Sequence, residues 1–279
     1  MKGKKWYFWV LPTTLIITLC LVVPLFIVIY PSFNDGGFTI NNYVGFLTDS
    51  FYLGVIVRTI KLSVITTLIC ILLGVPTAFY LSRLPKKAKG IALTLIMFPL
   101  LTNAVVRSFA WMTILGKNGV INSFLMAIKI IKEPIGMLYT ENAIIIGSVY
   151  LFLPLMITTL MSVMEGIDNE SIEAAQTLGA KSMYVFMKII LPLSFSGILI
   201  GSVLVFTGTL SAYTTPFLLG GNKNMVLATL LNQQVNQLYN WTNAGMISLI
   251  MIVISMLVMT TMRKVSIKLD KREDEYEHA

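Results

Sequence analysis

The chain has 279 residues, 56% of them apolar and only 12% charged, with a formal net charge of +8. A soluble domain is about 45–50% apolar and about 25% charged, so this composition and a mean hydropathy of +0.80 exclude an ordinary soluble domain. Disorder is excluded as well, because disordered chains are rich in charge and poor in aliphatic residues. The class that remains is an all-α, polytopic membrane protein.

A transmembrane helix needs about 20 mostly apolar residues. The first such stretch, 6–30, follows Lys2, Lys4 and Lys5. It is longer than the apolar region of a signal peptide, and no small-x-small cleavage site follows it, so it reads as an uncleaved first span. Five more stretches qualify, at 62–82, 91–115, 142–164, 194–219 and 244–262. The apolar run 119–131 is too short to span and ends in Lys129 and Lys132, which predicts an interfacial or re-entrant helix. Every span but the last holds or borders a proline: Pro12, Pro24, Pro76, Pro99, Pro154, Pro192 and Pro216. Ordinary kinking and bent helices around a gated path are both open readings of these prolines.

Lysine and arginine bias sets orientation. With six spans and an inner N-terminus, fourteen of the 21 lysines and arginines fall on inner segments. Six fall on outer ones: Arg58, Lys61, Lys117, Lys129, Lys132 and Lys223. Both termini are therefore expected in the cytoplasm. The charge serves orientation, so nucleic acid is not an expected partner, whereas membrane lipid is.

Several chemistries lack their residues. Cys20 and Cys70 both lie in apolar runs, the one histidine is His278, and no G-x-x-x-x-G-K-[ST] string occurs. The spans carry no deep aspartate or glutamate. Neither a metal cluster, a catalytic constellation nor a nucleotide site is expected in this chain, so it reads as non-catalytic.

The segment 165–193 is the longest inner connection. Asp168 or Asn169 can cap a helix whose first turn carries Glu170 and Glu173, favourable at its positive end. Gly179 stands where a left-handed residue ends such a helix. A second helix is expected from near Ser182 to just before Pro192. The result is a helix–turn–helix on the cytoplasmic surface, with Ala174, Ala175 and Ala180 giving it a low profile suited to a groove in a soluble partner. A capped interhelical loop is the plain alternative.

Glu173-Ala174-Ala175, then Gly179 after three residues, then Ile189-x-Leu191-Pro192 after nine, resembles the EAA signature of permease subunits of binding-protein-dependent ABC importers. Arg107 to Trp111 with Leu115-Gly116 and Gly119-Val-Ile-Asn122, SAYTTPFLLGGNKNMVLATLLNQQ at 211–234 and GGFTINNYVGFL at 36–47 are similar to the spermidine/putrescine type. The resemblance implies a type I importer permease fold of six transmembrane helices. It makes residues 1–279 one transmembrane domain, with a core at about 56–262 and a coupling loop at 165–193. It also implies two ATPase subunits that hold ATP and magnesium, a second and paralogous permease, and an extracytoplasmic substrate-binding protein. Glu173 would make polar contacts with the ATPase, Ala174 and Ala175 would pack in its cleft, and Gly179 would supply the bend. Ile189, Leu191 and Pro192 complete the signature. Related permeases carry other solutes such as ferric ion, and a self-sufficient channel or secondary transporter is a further alternative.

Residues that could face cargo are fewer. Arg107 reads either as a path residue or as a side chain snorkelling near Trp111. Thr207, Thr209, Ser211, Tyr213, Thr214 and Thr215 read either as a polar path face, with Tyr213 as a cation-π surface, or as hydroxyls bonded to helix carbonyls. Thr102 and Asn103 could face the same cavity. Gly197 and Gly201 fit small-residue helix packing. Outside, 31–57 and 220–243 could meet a binding protein or lie as solvated loops.

Overall fold

The computed structural model describes residues 5–34 and 40–277, without the side chains of 5–10, Asn169, Ser171 and 267–277. Lys2, Lys4, the opening GGFT at 36–39 and His278 lie outside the described residues. The fold is α-helical. In chain order it runs α1 (Lys5–Ile29), a 3-10 turn (Tyr30–Phe33), α2 (Asn41–Thr48), α3 (Ser50–Ser82), α4 (Lys86–Leu101), α5 (Ala104–Leu115), α6 (Val120–Ala127) and α7 (Glu141–Glu165). It continues with α8 (Asn169–Thr177), α9 (Ser182–Val185), a π turn (Phe186–Ile190), α10 (Leu191–Leu193), α11 (Phe195–Ser211), α12 (Thr214–Gly220), a 3-10 turn (Asn222–Asn224), α13 (Leu227–Asn236) and α14 (Trp241–Glu277). The backbone divides into two compact units, 1–54 with 230–253 and 55–229 with 254–279.

Leu11–Phe33, Ser50–Ser82, Glu141–Glu165 and Trp241–Ser266 are each long and apolar enough to cross a membrane. Two further spans form if each bent pair is one: Lys86–Leu101 with Ala104–Ala127, bent by 95°, and Ser182–Leu193 with Phe195–Ser211, bent by 65°.

The third expected span, 91–115, is therefore broken rather than continuous. Pro99 removes a backbone donor, and Thr102 turns to extended backbone at ψ 146°. Asn103 then starts α5 by capping it: its Oδ1 accepts from Val105 N at 2.9 Å and Val106 N at 3.4 Å. The fifth expected span, 194–219, ends at Ser211, because Ala212 is extended and α12 starts afresh at Thr214. The second helix of 165–193 does not stop before Pro192 but runs through it to Leu193. A π turn lets Leu191 N donate to Phe186 O, and proline is tolerated at the following helix start. The segment 220–243 is not simply a solvated loop. It contains α13, with Leu227, Leu230 and Gln234 all buried. Finally, α3 begins at Ser50, twelve residues before the expected 62, so Arg58 and Lys61 lie on a helix.

In the unit of 1–54 and 230–253, α14 meets α1 at Gly245, where a Cβ would come within 2.5 Å of Val28 O. The buried Tyr43 hydroxyl and Ser32 Oγ are 2.6 Å apart. Burial pushes the Tyr43 phenol above its usual range, and the Ser32 hydrogen bond partly offsets that. Asn243 Nδ2 donates to Gln234 Oε1 at 3.3 Å.

The unit of 55–229 and 254–279 centres on α7. Met156, Leu160 and Met164 of α7 are fully buried beside Cys70 and Ala78 of α3 and Ile198 and Val205 of α11. Apolar burial drives little helix association in lipid, so close backbone approach carries it instead. Three glycines of α11 supply it. A Cβ at Gly197 would lie 3.0 Å from Val163 Cγ2, one at Gly201 2.6 Å from Met156 Sδ, and one at Gly208 2.5 Å from Phe152 Cε1. Gly74 of α3 meets the same Met156 at 2.7 Å from Cγ. The methionine is thus held between two glycines, its flexible thioether filling the gap.

Candidate functional site

The segment between α7 and α11 is built from its caps. After α7 ends, the buried Ile167 anchors the chain to the core. Asp168 Oδ1 accepts from Glu170 N at 3.1 Å and so starts α8. The end of α8 explains the spacing of the alanines and the glycine. Gly179 N donates to Gln176 O at 2.9 Å and Ala180 N to Ala175 O at 3.0 Å, the paired bonds of a Schellman closure. That closure requires a left-handed residue four positions after Ala175, and Gly179 takes it at φ +89°. No atom lies within 4 Å of a Cβ placed there, so backbone conformation, not space, demands glycine.

The two faces of this hairpin differ. Ile172, Ala175, Ala180, Ile189 and Leu191 pack on the core. Glu173, Ala174 and Pro192 are exposed. Beside them lies an apolar surface of Leu178, 89% exposed, with Met183 at 70% and Tyr184 at 59%. An open depression of about 540 Å³ is lined by Ala175, Leu178, Gly179, Ala180, Lys181 and Tyr184. These large apolar residues were missed in the sequence, although Met183 and Met187 stand one helical turn apart. An exposed patch of this kind marks an interaction surface. Acidic Glu170 and Glu173 and basic Lys181 and Lys188 give it charged margins.

Contacts from other helices fix the hairpin's base. Lys89 Nζ of α4 donates to Glu165 Oε1 at 2.6 Å and to Ser82 O at 3.1 Å. The rings of Phe79 and Phe186 lie 5.4 Å apart, which joins α3 to the π turn.

The residues proposed to face cargo fall in three settings. Asn103 is exposed, and its side chain is used as a cap. Arg107 is folded back onto the backbone. It is 8% exposed and its guanidinium donates to Pro99 O at 2.7 Å and Thr102 O at 3.3 Å. The bend between α4 and α5 frees those carbonyls, and Arg107 bonds to both, sharing Pro99 O with the Thr102 hydroxyl at 2.8 Å. Trp111 packs edge-on to Tyr150 of α7 at 5.5 Å. Ser211 Oγ donates to Thr207 O at 2.9 Å, and Thr209 Oγ1 donates to Val205 O at 2.8 Å. Tyr213 stacks on Phe217 at 5.2 Å. Thr214 is half-buried, and Thr215 is buried against Gly147 of α7. Helices α5, α7 and α12 pack on one another, which brings Trp111, Tyr150 and Thr215 into one cluster of elements. Tyr150, separated from Trp111 by 39 residues, is a member that sequence spacing does not reveal.

At the other end of α7, Glu141 bridges two cations of α3. Its Oε1 lies 3.3 Å from Arg58 Nε, and its Oε2 pairs with Lys61. Arg58 also donates to Met225 O at 3.1 Å.

Residues 64–269 match the family described as "Binding-protein-dependent transport system inner membrane component". The chain is 33% identical over 241 residues to the spermidine/putrescine transport system permease protein PotB of Salmonella typhimurium, covering 86% of this chain and 84% of that one. It is 36% identical over 211 residues to the protein of the same name in Haemophilus influenzae, covering 76% and 73%. Among solved structures, a bacterial alginate ABC transporter in complex with an alginate pentasaccharide-bound periplasmic protein superposes with a TM-score of 0.79 at 17% identity, covering 94% of this chain and 93% of that one. The fold is thus the all-α fold of ABC importer permeases. With its multiple membrane spans and its family match over most of its length, this chain belongs to the inner-membrane permeases of binding-protein-dependent ABC importers.

Proposed function

We propose that this chain is the polyamine-translocating permease of an ABC importer, pairs with a second permease, and is driven by ATPase subunits docked on the hairpin at 165–193. The observation that carries the docking reading is the exposed apolar surface of Leu178, Met183 and Tyr184 beside Glu173 and the left-handed Gly179. The cargo reading rests on the names of the relatives, which are spermidine/putrescine permeases. The likeness to a transporter in complex with a periplasmic binding protein supports delivery of cargo by such a protein. Excess lysine and arginine on the hairpin's side supports placing it and both termini in the cytoplasm. ATP and magnesium belong to the ATPase, so this chain transmits work rather than performing catalysis.

The mechanism follows from which parts are stiff. The hairpin joins α7 directly to α11, and those helices are locked by Gly197, Gly201 and Gly208 against Val163, Met156 and Phe152. ATPase closure that moves the hairpin therefore moves α7 and α11 as one body. Helix α12 packs on α7, and α5 packs on both, so the aromatic cluster moves with that body and changes the facing of the path. The described spans hold no carboxylate between their ends. A polycation there meets aromatic faces and carbonyls, binds weakly and is released. Selectivity then resides in the external binding protein.

The test is labelled spermidine uptake by the assembled transporter carrying Glu173→Ala with Gly179→Val. Uptake is expected to fall below a tenth of the wild type while the external protein still binds spermidine. Full uptake in the double variant overturns the coupling role.

A further inference from the structure

A groove at the end of the last span has no part in the coupling or the path described above. It runs between α11 and the 254–266 part of α14 and encloses about 370 Å³. Its walls are Leu199, Ile200, Val203 and Leu204 on one side and Met259 and Met262 on the other, and Arg263 and Ser266 close one end. Ile200 and Leu204 are 55% and 43% exposed, and Met259 is 59% exposed. The groove is therefore an open apolar slot with a polar tip.

We infer that this groove holds one acyl chain of an anionic phospholipid whose phosphate sits on Arg263. Depth supports this first. The apolar run of the last span gives way at Arg263 and Lys264, so Arg263 and Ser266 stand at headgroup level while Met259 and the α11 wall lie at acyl-chain level. Charge supports it second. Arg263 is exposed and enters no ion pair among the described residues. No acidic residue lines the groove. In the sequence Arg263, Lys264 and Lys268 precede the first acid, Asp270. A guanidinium offers a phosphate paired donors, and Ser266 adds a hydroxyl one turn further along the same face. Shape supports it third. An open slot of this volume, walled by aliphatic and thioether side chains, suits a flexible hydrocarbon chain. The zwitterionic alternative, phosphatidylcholine, carries a choline cation that gains nothing from Arg263.

The experiment uses the full chain with its co-purifying subunits, exchanged through vesicles of equimolar phosphatidylglycerol and phosphatidylcholine. The lipid retained is counted by native mass spectrometry. Wild type is expected to retain phosphatidylglycerol preferentially. Arg263→Gln is expected to lower that preference about fivefold, as loss of one headgroup-contacting cation does. Lys264→Gln, whose side chain is not part of the groove, is expected to leave it unchanged. Val203→Trp is expected to displace both lipids. Equal retention of the two lipids by wild type, equal losses in the Arg263 and Lys264 variants, or undiminished retention in Val203→Trp each overturns the proposal.

Discussion

Lys89 and Glu165 form an ion pair of 2.6 Å that ties the first turn of α4 to the last turn of α7, three residues before the cap of the coupling hairpin. Their side chains are 22% and 40% exposed. A pair so placed contributes only about 0.5 kcal/mol to stability. Lys89→Ala should therefore leave the melting temperature within about 2 °C of wild type. If the pair steers the hairpin, uptake falls several-fold in Lys89→Glu and recovers in Lys89→Glu with Glu165→Lys. Uptake measured beside a melting curve separates the two effects, and a charge swap that restores nothing argues against the link.

The contact of Met156 with Gly201 predicts a specific non-additivity. Gly201→Val forces a side chain into the space of Met156 Sδ and should destabilise the chain by about 1–3 kcal/mol. Met156→Ala opens a cavity and costs about 2–5 kcal/mol alone. The double variant should be more stable than the sum of the two losses implies, because each change relieves the other. Thermal unfolding in detergent of the four species of the cycle measures this. Simple additivity would mean that α7 and α11 do not meet here.

Gly179 gives a prediction about backbone rather than packing. At φ +89° a Cβ residue is strained by about 1–2 kcal/mol. Gly179→Asn should keep more transport than Gly179→Ala, although asparagine is the larger, because asparagine tolerates left-handed backbone. The reverse order would show that space at the depression, not conformation, selects glycine.

Arg107 should act on the bend between α4 and α5. Replacing it by alanine strands Thr102 O and takes the charged donor from Pro99 O, which keeps only the Thr102 hydroxyl at 2.8 Å. The expected cost is about 2–4 kcal/mol. Arg107→Lys should recover part of it, since an ammonium reaches one carbonyl but lacks the fork. Denaturation midpoints check this. A neutral Arg107→Ala would mean that the bend is held elsewhere.

These results show what kind of information a single sequence carries. Four spans were legible because each carries a continuous apolar run, although the run at 62–82 missed the first twelve residues of α3. The hairpin was legible because its signals are local: Asp168 before the acidic first turn, Gly179 after the last. The break at Thr102–Asn103 was not. Pro99 inside an apolar run reads as a kink, and the bend of 95° is completed by the Asn103 cap and by Arg107 returning to carbonyls up to eight residues back. The packing of Trp111 on Tyr150 was equally hidden, because it depends on α5 and α7 meeting in space. Helix α13 was masked by its amides, whose polarity suggests solvent although Gln234 is buried. The spacing of Ala175 and Gly179, recognised first as a signature, turns out to be the spacing that a Schellman closure dictates.

The central claim is that the apolar tip of the hairpin is the seat of the ATPase. The direct measurement is photo-cross-linking in the intact transporter, with a benzophenone amino acid placed in turn at Leu178, Met183 and, as a control in the connection between α6 and α7, Leu138. The account predicts an adduct with the ATPase subunit from Leu178 and Met183, altered in yield by ATP, and none from Leu138. An ATPase adduct from Leu138, or none from Leu178 and Met183 in a complex that still transports, would contradict it.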